Sequence, residues 1–341
     1  MSKSKGKKNG VVSDPEVQTF GHVGNDSRII SWWGQLLLFH MLYLILPLLG
    51  LIVPILVVVF TTGLLQIAAV INLVGFWTYM LMDTRYKRLG RPWRFFTENV
   101  VFKLVMSWFP VRIMRTKKLD SSKTYVFSCH PHGTMAFNRA AVGFCTDELW
   151  FAAFPGVDFR VLMASAAFLI PVIREVFVWS HGVDASKKTA QIVLRASKSV
   201  FVYPGGEREQ MATERGKHKA FLSSRKGFVK LAIEEGASLV PVYAFGEVEL
   251  YNHSNFMLSF RQMLVKRFQV AVPLLYGQCG LLPYRVPITL VFGAPIPLPH
   301  VQAPSHELVD LHHAQYVQAL LKLFDEHKKQ MGCPDATLEI L

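Results

Sequence analysis

Cysteine is scarce and scattered. Cys129, Cys145, Cys279 and Cys333 form no C-x-x-C pair, which argues against a disulfide framework and a thiolate zinc site. No H-E-x-x-H, G-x-S-x-G or G-x-x-x-x-G-K-[ST] string occurs, so the zincin, nucleophile-elbow and P-loop classes drop out. No internal repeat is present, which removes solenoids. Charge is low, at 18% of residues against 51% hydrophobic. Between Ile29 and Met82 it vanishes, with no Asp, Glu, Lys or Arg. A single bilayer crossing takes about 20 apolar residues, so this interval holds two, or a re-entrant hairpin. It is too long for the about 7–15-residue apolar core of a cleaved signal peptide. Pro47, Gly50, Pro54 and Thr61-Thr62-Gly63 all offer a place for the turn.

What charge there is gathers beside the apolar interval. Residues 83–118 hold ten basic residues and two acidic ones, within a total net charge of +13. Lysines and arginines flank both ends of the hairpin, which by the positive-inside rule puts both termini in the cytosol. A basic belt next to a membrane segment suits anionic lipid headgroups, and equally a solvated flank. It does not suit nucleic acid, for which the excess would sit on the folded domain. Val100–Met114, with Trp108 and Phe109, reads as an amphipathic interfacial stretch.

Four regions follow: a mobile polar N-terminus over 1–28, the membrane hairpin over 29–82, the basic juxtamembrane segment over 83–118, and a catalytic α/β domain over 119–341. In the last, short β-branched and aromatic runs alternate with helical stretches, which predicts parallel strand pairs. Strands are expected at Thr124–Cys129, Arg160–Ala164, Val200–Tyr203, Leu239–Phe245 and Ile288–Phe292. Helices are expected at Asp184–Ser197, capped by Asp184 or Ser186, at Arg225–Glu235 closed by Gly236, and from Ser305 to Gln330. Sites in open α/β sheets gather beyond the carboxyl ends of strands. There stand His130-Pro131-His132-Gly133, Pro204-Gly205-Gly206 with Glu209, and Phe245-Gly246-Glu247.

His-x-His first suggests a metal, but two ligands are too few and the remaining histidines offer no complementary spacing. Cys129 beside His130 suggests a thiol nucleophile, yet adjacent strand residues face opposite sides and a buried cysteine is usually a small hydrophobe. The third reading is His132 as a lone general base, with Gly133 letting a substrate approach the backbone. A histidine satisfied by hydrogen bonds is the plain alternative. Glu209 could orient His132 as the third member of a triad orients its base, or belong to a solvated turn. Arg225, Lys226 and Lys230 could hold a polyanion, 226 and 230 sharing a helix face, or be a solvated face.

Taken together these residues resemble the type-2 diacylglycerol acyltransferase family, which includes monoacylglycerol and wax alcohol acyltransferases. The resemblance runs from about Phe95 to the C-terminus. It rests on His130-Pro131-His132-Gly133, on Pro204-Gly205-Gly206 with Glu209, and on the run RKGFVKLAIEEGASLVPVYAFGE from Arg225 to Glu247. Weaker matches are Phe168-x-x-Pro171-x-x-Arg174, Gly293-x-Pro295-Ile296 and LFDEHKKQMG from Leu323. It implies a membrane-anchored mixed sheet with flanking helices, similar to the glycerophosphate acyltransferases, carrying an N-terminal hairpin. It also implies an enzyme of the endoplasmic reticulum and lipid droplets that makes triacylglycerol from diacylglycerol, with acyl-CoA as co-substrate and no permanently bound cofactor or metal.

Some members of the family carry Glu-Pro-His-Gly in place of the block, which makes the second histidine the stronger candidate for catalysis and points to His132, with His130 in support and Glu209 as partner. Pro131, Gly133, Gly205, Gly206, Phe168 and Arg174 are then expected at the substrate, and Arg225, Lys226 and Lys230 at the CoA phosphates. Arg174 matches a phosphate-engaging block of the glycerophosphate acyltransferases, though diacylglycerol has no phosphate. Three departures stand out: Phe137 where those enzymes carry the aspartate of H-x-x-x-x-D, Trp108-Phe109-Pro110 for Tyr-Phe-Pro, and no F-L-x-L string in the hairpin. A monoacylglycerol or long-chain alcohol acceptor, and a non-catalytic lipid-binding scaffold, are the alternatives; a homo-oligomer is compatible with either.

Overall fold

The computed structural model describes residues 17–23 and 46–341, apart from 107, 109, 171, 269–272, 279 and 281. The β-branched and aromatic runs are strands, most of them shifted by a residue or two from expectation. They are β3 (Tyr125–His130), β4 (Phe159–Met163), β6 (Ser199–Val202), β8 (Ser238–Phe245) and β11 (Ile288–Phe292). With β1 (Gln18–Val23), β2 (Val111–Arg115) and β5 (Gly182–Asp184) they form an eight-stranded sheet ordered β1-β2-β11-β8-β3-β6-β4-β5, while β7 (His218–Ala220) pairs separately with β12 (Leu338–Ile340).

From β8 to β5 the strands are mutually parallel, so they share one carboxyl edge. β11 runs antiparallel to β8. Among the described residues between them no crossover helix packs back along the sheet. That stretch holds the two-residue strands β9 (Asn252–His253) and β10 (Leu275–Tyr276) with a helix between them, and β11 then returns in the opposite direction. Two regions differ from the sequence reading. Gln18–Val23, inside the stretch expected to be mobile, pairs with β2 as an edge strand. Val100–Met114, expected as one amphipathic segment, divides into a helix over Val100–Met106 and strand β2, with Pro110 between them.

Each face of the sheet buries its own core. On one face Phe127 and Cys129 join Trp150, Phe154, Phe159 and Phe292; on the other Val126 and Leu239 join Leu231, Tyr316, Leu320 and Phe324. The second face is covered by α4 (Lys187–Arg195), α6 (Gly227–Glu235) and α8 (His306–His327). The caps are where the sequence places them. Ser186 accepts the Thr189 N–H at the start of α4, and Gly236 closes α6 with φ +64°.

Of the apolar hairpin, residues 29–45 lie outside the described residues. The rest is α1 (Leu46–Phe60) and α2 (Gly63–Met82), broken at Thr61-Thr62, with Pro47, Gly50 and Pro54 all inside α1. Gly63–Lys87 is long and apolar enough to cross a membrane, and its most apolar stretch is almost wholly unburied.

Candidate active site

β3 runs straight into the histidine block. Period-two alternation sends Cys129 to the aromatic face and His130 to the other, where Ser128 also points, its Oγ accepting from Tyr316 Oη at 2.7 Å. Cys129 is fully buried among apolar groups, and that burial pushes its thiol well up. It is therefore placed as core, on the side of the strand away from His130.

α5 (Gly206–Ala212) follows β6 and carries Glu209, which is 2% exposed. Its carboxylate is the hub of the site. Oε2 lies 3.2 Å from His130 Nδ1 and accepts the Phe221 N–H at 3.1 Å, while Oε1 accepts the His132 N–H. Burial raises this carboxyl, but the facing His130 ring and the N–H donors outweigh it and hold Glu209 below the usual carboxylate range. Glu209 thus touches the ring of the first histidine and only the backbone of the second.

His130 is fully buried, with Nε2 unpartnered. His132 is half-buried; its Nδ1 lies 2.9 Å from the Gly133 carbonyl, and its ring meets the Tyr203 ring edge to face at 5.2 Å. With Nδ1 donating to that carbonyl, Nε2 is left with a lone pair to accept a proton.

Two glycines exist here because carboxylates fill the space a side chain would need. A Cβ on Gly205 would stand 1.9 Å from Glu209 Oε2, and one on Gly133 would stand 2.2 Å from Glu247 Oε1, at a φ of +67°. Gly206 has open space around it and only its φ of +52° to explain it.

Glu247 was legible as part of the strand-end stretch Phe245-Gly246-Glu247, yet its role emerges only in three dimensions. It is 3% exposed and accepts the N–H groups of Phe137 at 3.0 Å and Asn138 at 2.7 Å, bracing the turn after the histidines. Burial pushes its carboxyl up to about 8. Asn138 ties the same turn to Pro131 O at 3.1 Å and takes the Tyr203 hydroxyl at 2.5 Å. His253, on β9, meets Thr134 Oγ1 at 2.5 Å, and Gln210 donates to the Thr134 carbonyl. Tyr203, Asn138 and His253 carry no sequence signal, because what selects them is contact with the turn across long stretches of chain.

Other expected residues lie apart from this cluster. Phe168 is buried, stacked on Tyr86 at 4.6 Å. Arg174, on α3 (Ile173–Trp179), is fully buried and pairs with Asp83 at 3.2 Å and with Glu175; its guanidinium also lies over the Tyr79 and Tyr86 rings. Both therefore sit at the foot of α2, toward the β4–β5 edge. Arg225 and Lys226 precede α6, whose C-terminus feeds the start of β8, so the N-terminal end of α6 points to the carboxyl edge of the sheet. Lys226 pairs with Asp310 at 2.7 Å, and Lys230 is exposed one turn further on. Among the described residues no group of three or more His, Cys, Asp or Glu could hold a metal ion.

Residues 57–341 match the diacylglycerol acyltransferase family. Diacylglycerol O-acyltransferase 2 of Bos taurus is 35% identical to this chain, over 77% of each. Acyl-CoA wax alcohol acyltransferase 1 of Mus musculus is 36% identical, over 68% of this chain and 75% of its own. Among solved structures, the 1-acyl-sn-glycerophosphate acyltransferase PlsC of Thermotoga maritima aligns with a TM-score of 0.39 at 13% identity, covering 83% of this chain and 94% of that one.

Proposed function

This chain belongs to the diacylglycerol acyltransferase family, and on that premise we propose that it makes triacylglycerol by direct acyl transfer from acyl-CoA to diacylglycerol. The observation that carries the mechanism is the Glu209 carboxylate, which fixes both histidines of the block at once, one by its ring and one by its backbone.

His132 is the general base. It is the histidine with exposure, and its Nε2 takes the proton of the acceptor hydroxyl as that oxygen attacks the thioester carbon. Backbone N–H groups of the turn after His132 hold the developing oxyanion. The tetrahedral intermediate collapses, the C–S bond breaks, and the departing CoA thiolate recovers the proton from the His132 imidazolium. His130 and Glu209 support the block beneath. Glu247, whose carboxyl burial pushes up to about 8, braces the turn from beneath through the Phe137 and Asn138 N–H groups.

Arg225, Lys226 and Lys230 take the CoA phosphates. The Lys226–Asp310 pair is exposed and worth about 0–1 kcal/mol, so it opens readily for a better anion. α1 and α2 lie in the bilayer of the endoplasmic reticulum with both termini cytosolic, and the same hairpin suits a droplet surface.

Two further readings have specific support. The wax alcohol relative keeps a long-chain alcohol, and with it a monoacylglycerol, in play as acceptor. The His130–Glu209 contact, with Nε2 of His130 unpartnered, makes His130 the alternative base.

Microsomes carrying the chain, given labelled acyl-CoA with equal diacylglycerol, monoacylglycerol and fatty alcohol, test all of this. Labelled triacylglycerol that disappears in His132→Ala is the expected result. Wax ester or diacylglycerol as main product would change the acceptor. Retained turnover in His132→Ala, lost in His130→Ala, would move the base.

A further inference from the structure

One helix of this fold is inside out. α7 (Leu258–Phe268), between β9 and β10, buries Arg261 and shows Phe260 and Met263 to solvent. Phe256 is 68% exposed and Met257 53%, and Phe260 and Met263 continue the stripe at helical spacing. In a water-facing helix that stripe packs on the core. Here Arg261 is 5% exposed and clamps the backbone carbonyls of Ser254 and Phe256. Met257 is held at φ +50°, a conformation bulky residues avoid. The outward placement is therefore built in. Leu274 and Tyr276, exposed on and beside β10, extend the same surface.

The charge pattern identifies what covers it. From Glu249 to Glu307 no acidic residue intervenes, while Lys266, Arg267 and Arg285 fall within that span in addition to the buried Arg261. An apolar surface in an acid-free, basic segment complements a bilayer with anionic headgroups.

Its location agrees. α7 lies beyond the carboxyl end of β8. The foot of α2 lies beyond the carboxyl ends of β4 and β5, where Thr189 Oγ1 donates to the Lys87 carbonyl at 3.1 Å and Arg174 holds Asp83. Between them, at the end of β3, stand His130 and His132, linked to β9 through Thr134 and His253.

We propose that the Phe256–Phe268 segment rests on the bilayer as a second contact, so that α2 and α7 bracket the site and hold its mouth against the lipid in which an apolar acceptor dissolves. This rests on the reading of α1 and α2 as membrane helices.

The test is site-directed spin labelling of the full chain, with Cys279→Ser and Cys333→Ser, in phosphatidylcholine–phosphatidylserine vesicles. Cys129 and Cys145 are buried and stay unlabelled. Labels are placed at Phe256→Cys, Phe260→Cys, Val74→Cys on α2 and the exposed Lys322→Cys on α8. Labels at 256, 260 and 74 are expected to relax several-fold more with oxygen than with a water-soluble nickel chelate, and the label at 322 the reverse. If 256 and 260 follow 322 while 74 is in lipid, the proposal fails and the hairpin reading stands. If 74 is also in water, both fail. Dipolar broadening at 260 would mean that a second copy covers the face, and would overturn the proposal too.

Discussion

Glu209 and His130 face each other as carboxylate and ring nitrogen at 3.2 Å, both shut off from solvent. Because the same carboxylate takes the His132 N–H, removing it loosens both histidines together. Glu209→Ala leaves buried donors and a buried ring without their partner, at a cost of about 3–5 kcal/mol. Glu209→Gln keeps the shape and an acceptor but loses the charge. It is expected to retain most of the stability while turnover falls about 10²–10⁴-fold. Thermal inactivation and turnover, measured on both variants, separate the two effects. The Glu209 carboxyl is held below its unfolded value, so its contribution to stability is present above the ordinary carboxylate range and is lost as pH falls through the folded value. An acid-side loss of stability in the wild type that is absent in Glu209→Gln is the expected signature.

The three site glycines should differ among themselves. Alanine at Gly205 meets a carboxylate oxygen at 1.9 Å and alanine at Gly133 meets one at 2.2 Å, both inside the buried hub. Each should displace a glutamate and lower activity by at least an order of magnitude. Gly206→Ala meets nothing within 4 Å and incurs only the left-handed φ, about 1 kcal/mol. It should stay active with a small drop in inactivation temperature. A loss at Gly206 equal to that at Gly133 would show that the left-handed conformation, rather than carboxylate contact, selects those two glycines.

The strands and the histidine block were readable from the sequence because both are local. A run such as Ile288–Phe292 declares a strand by itself, and its bounds in the structure are the same five residues. The cap Ser186 and the closing Gly236 are local too. What could not be read is which side chains meet across the sheet. Glu209 is expected beside His132; in the structure it takes the His132 backbone N–H and the ring of His130, because β3 turns His130 and not Cys129 toward α5. Arg174 looked like an anion site from its motif, while in space two carboxylates already occupy its guanidinium. The antiparallel β11 and edge strand β1 also depend on pairing partners far away in the chain.

Glu247 makes stability depend on pH in the opposite sense to Glu209. Its carboxyl titrates near 8 in the folded chain and near 4.5 when unfolded. Between those values the folded state holds a proton that the unfolded state has released. Stability therefore falls as pH rises from about 4.5 to about 8, at up to about 1.4 kcal/mol per pH unit, and levels above that. Glu247→Gln, neutral throughout, should remove this slope. Inactivation temperature followed from pH 5 to pH 9 in both proteins checks it, and identical slopes would place the ionised form in the folded site.

Arg174 tests whether an expected phosphate ligand is instead a pin between the apolar helix α2 and the sheet. It is fully buried; Asp83 follows α2, Glu175 is its neighbour on α3, and the Asp83 carbonyl accepts from it at 2.9 Å. A phosphate would have to displace carboxylates in a site closed to solvent. Arg174→Met should therefore cost about 3–5 kcal/mol by leaving buried negative charge unpaired. Arg174→Lys keeps the charge but not the fork that reaches two carboxylates at once, and should recover part of that stability. In neither variant should the KM for acyl-CoA of the surviving active fraction change. A several-fold rise in that KM in Arg174→Lys, without loss of thermal stability, would return the guanidinium to the substrate and require the foot of α2 to open during turnover.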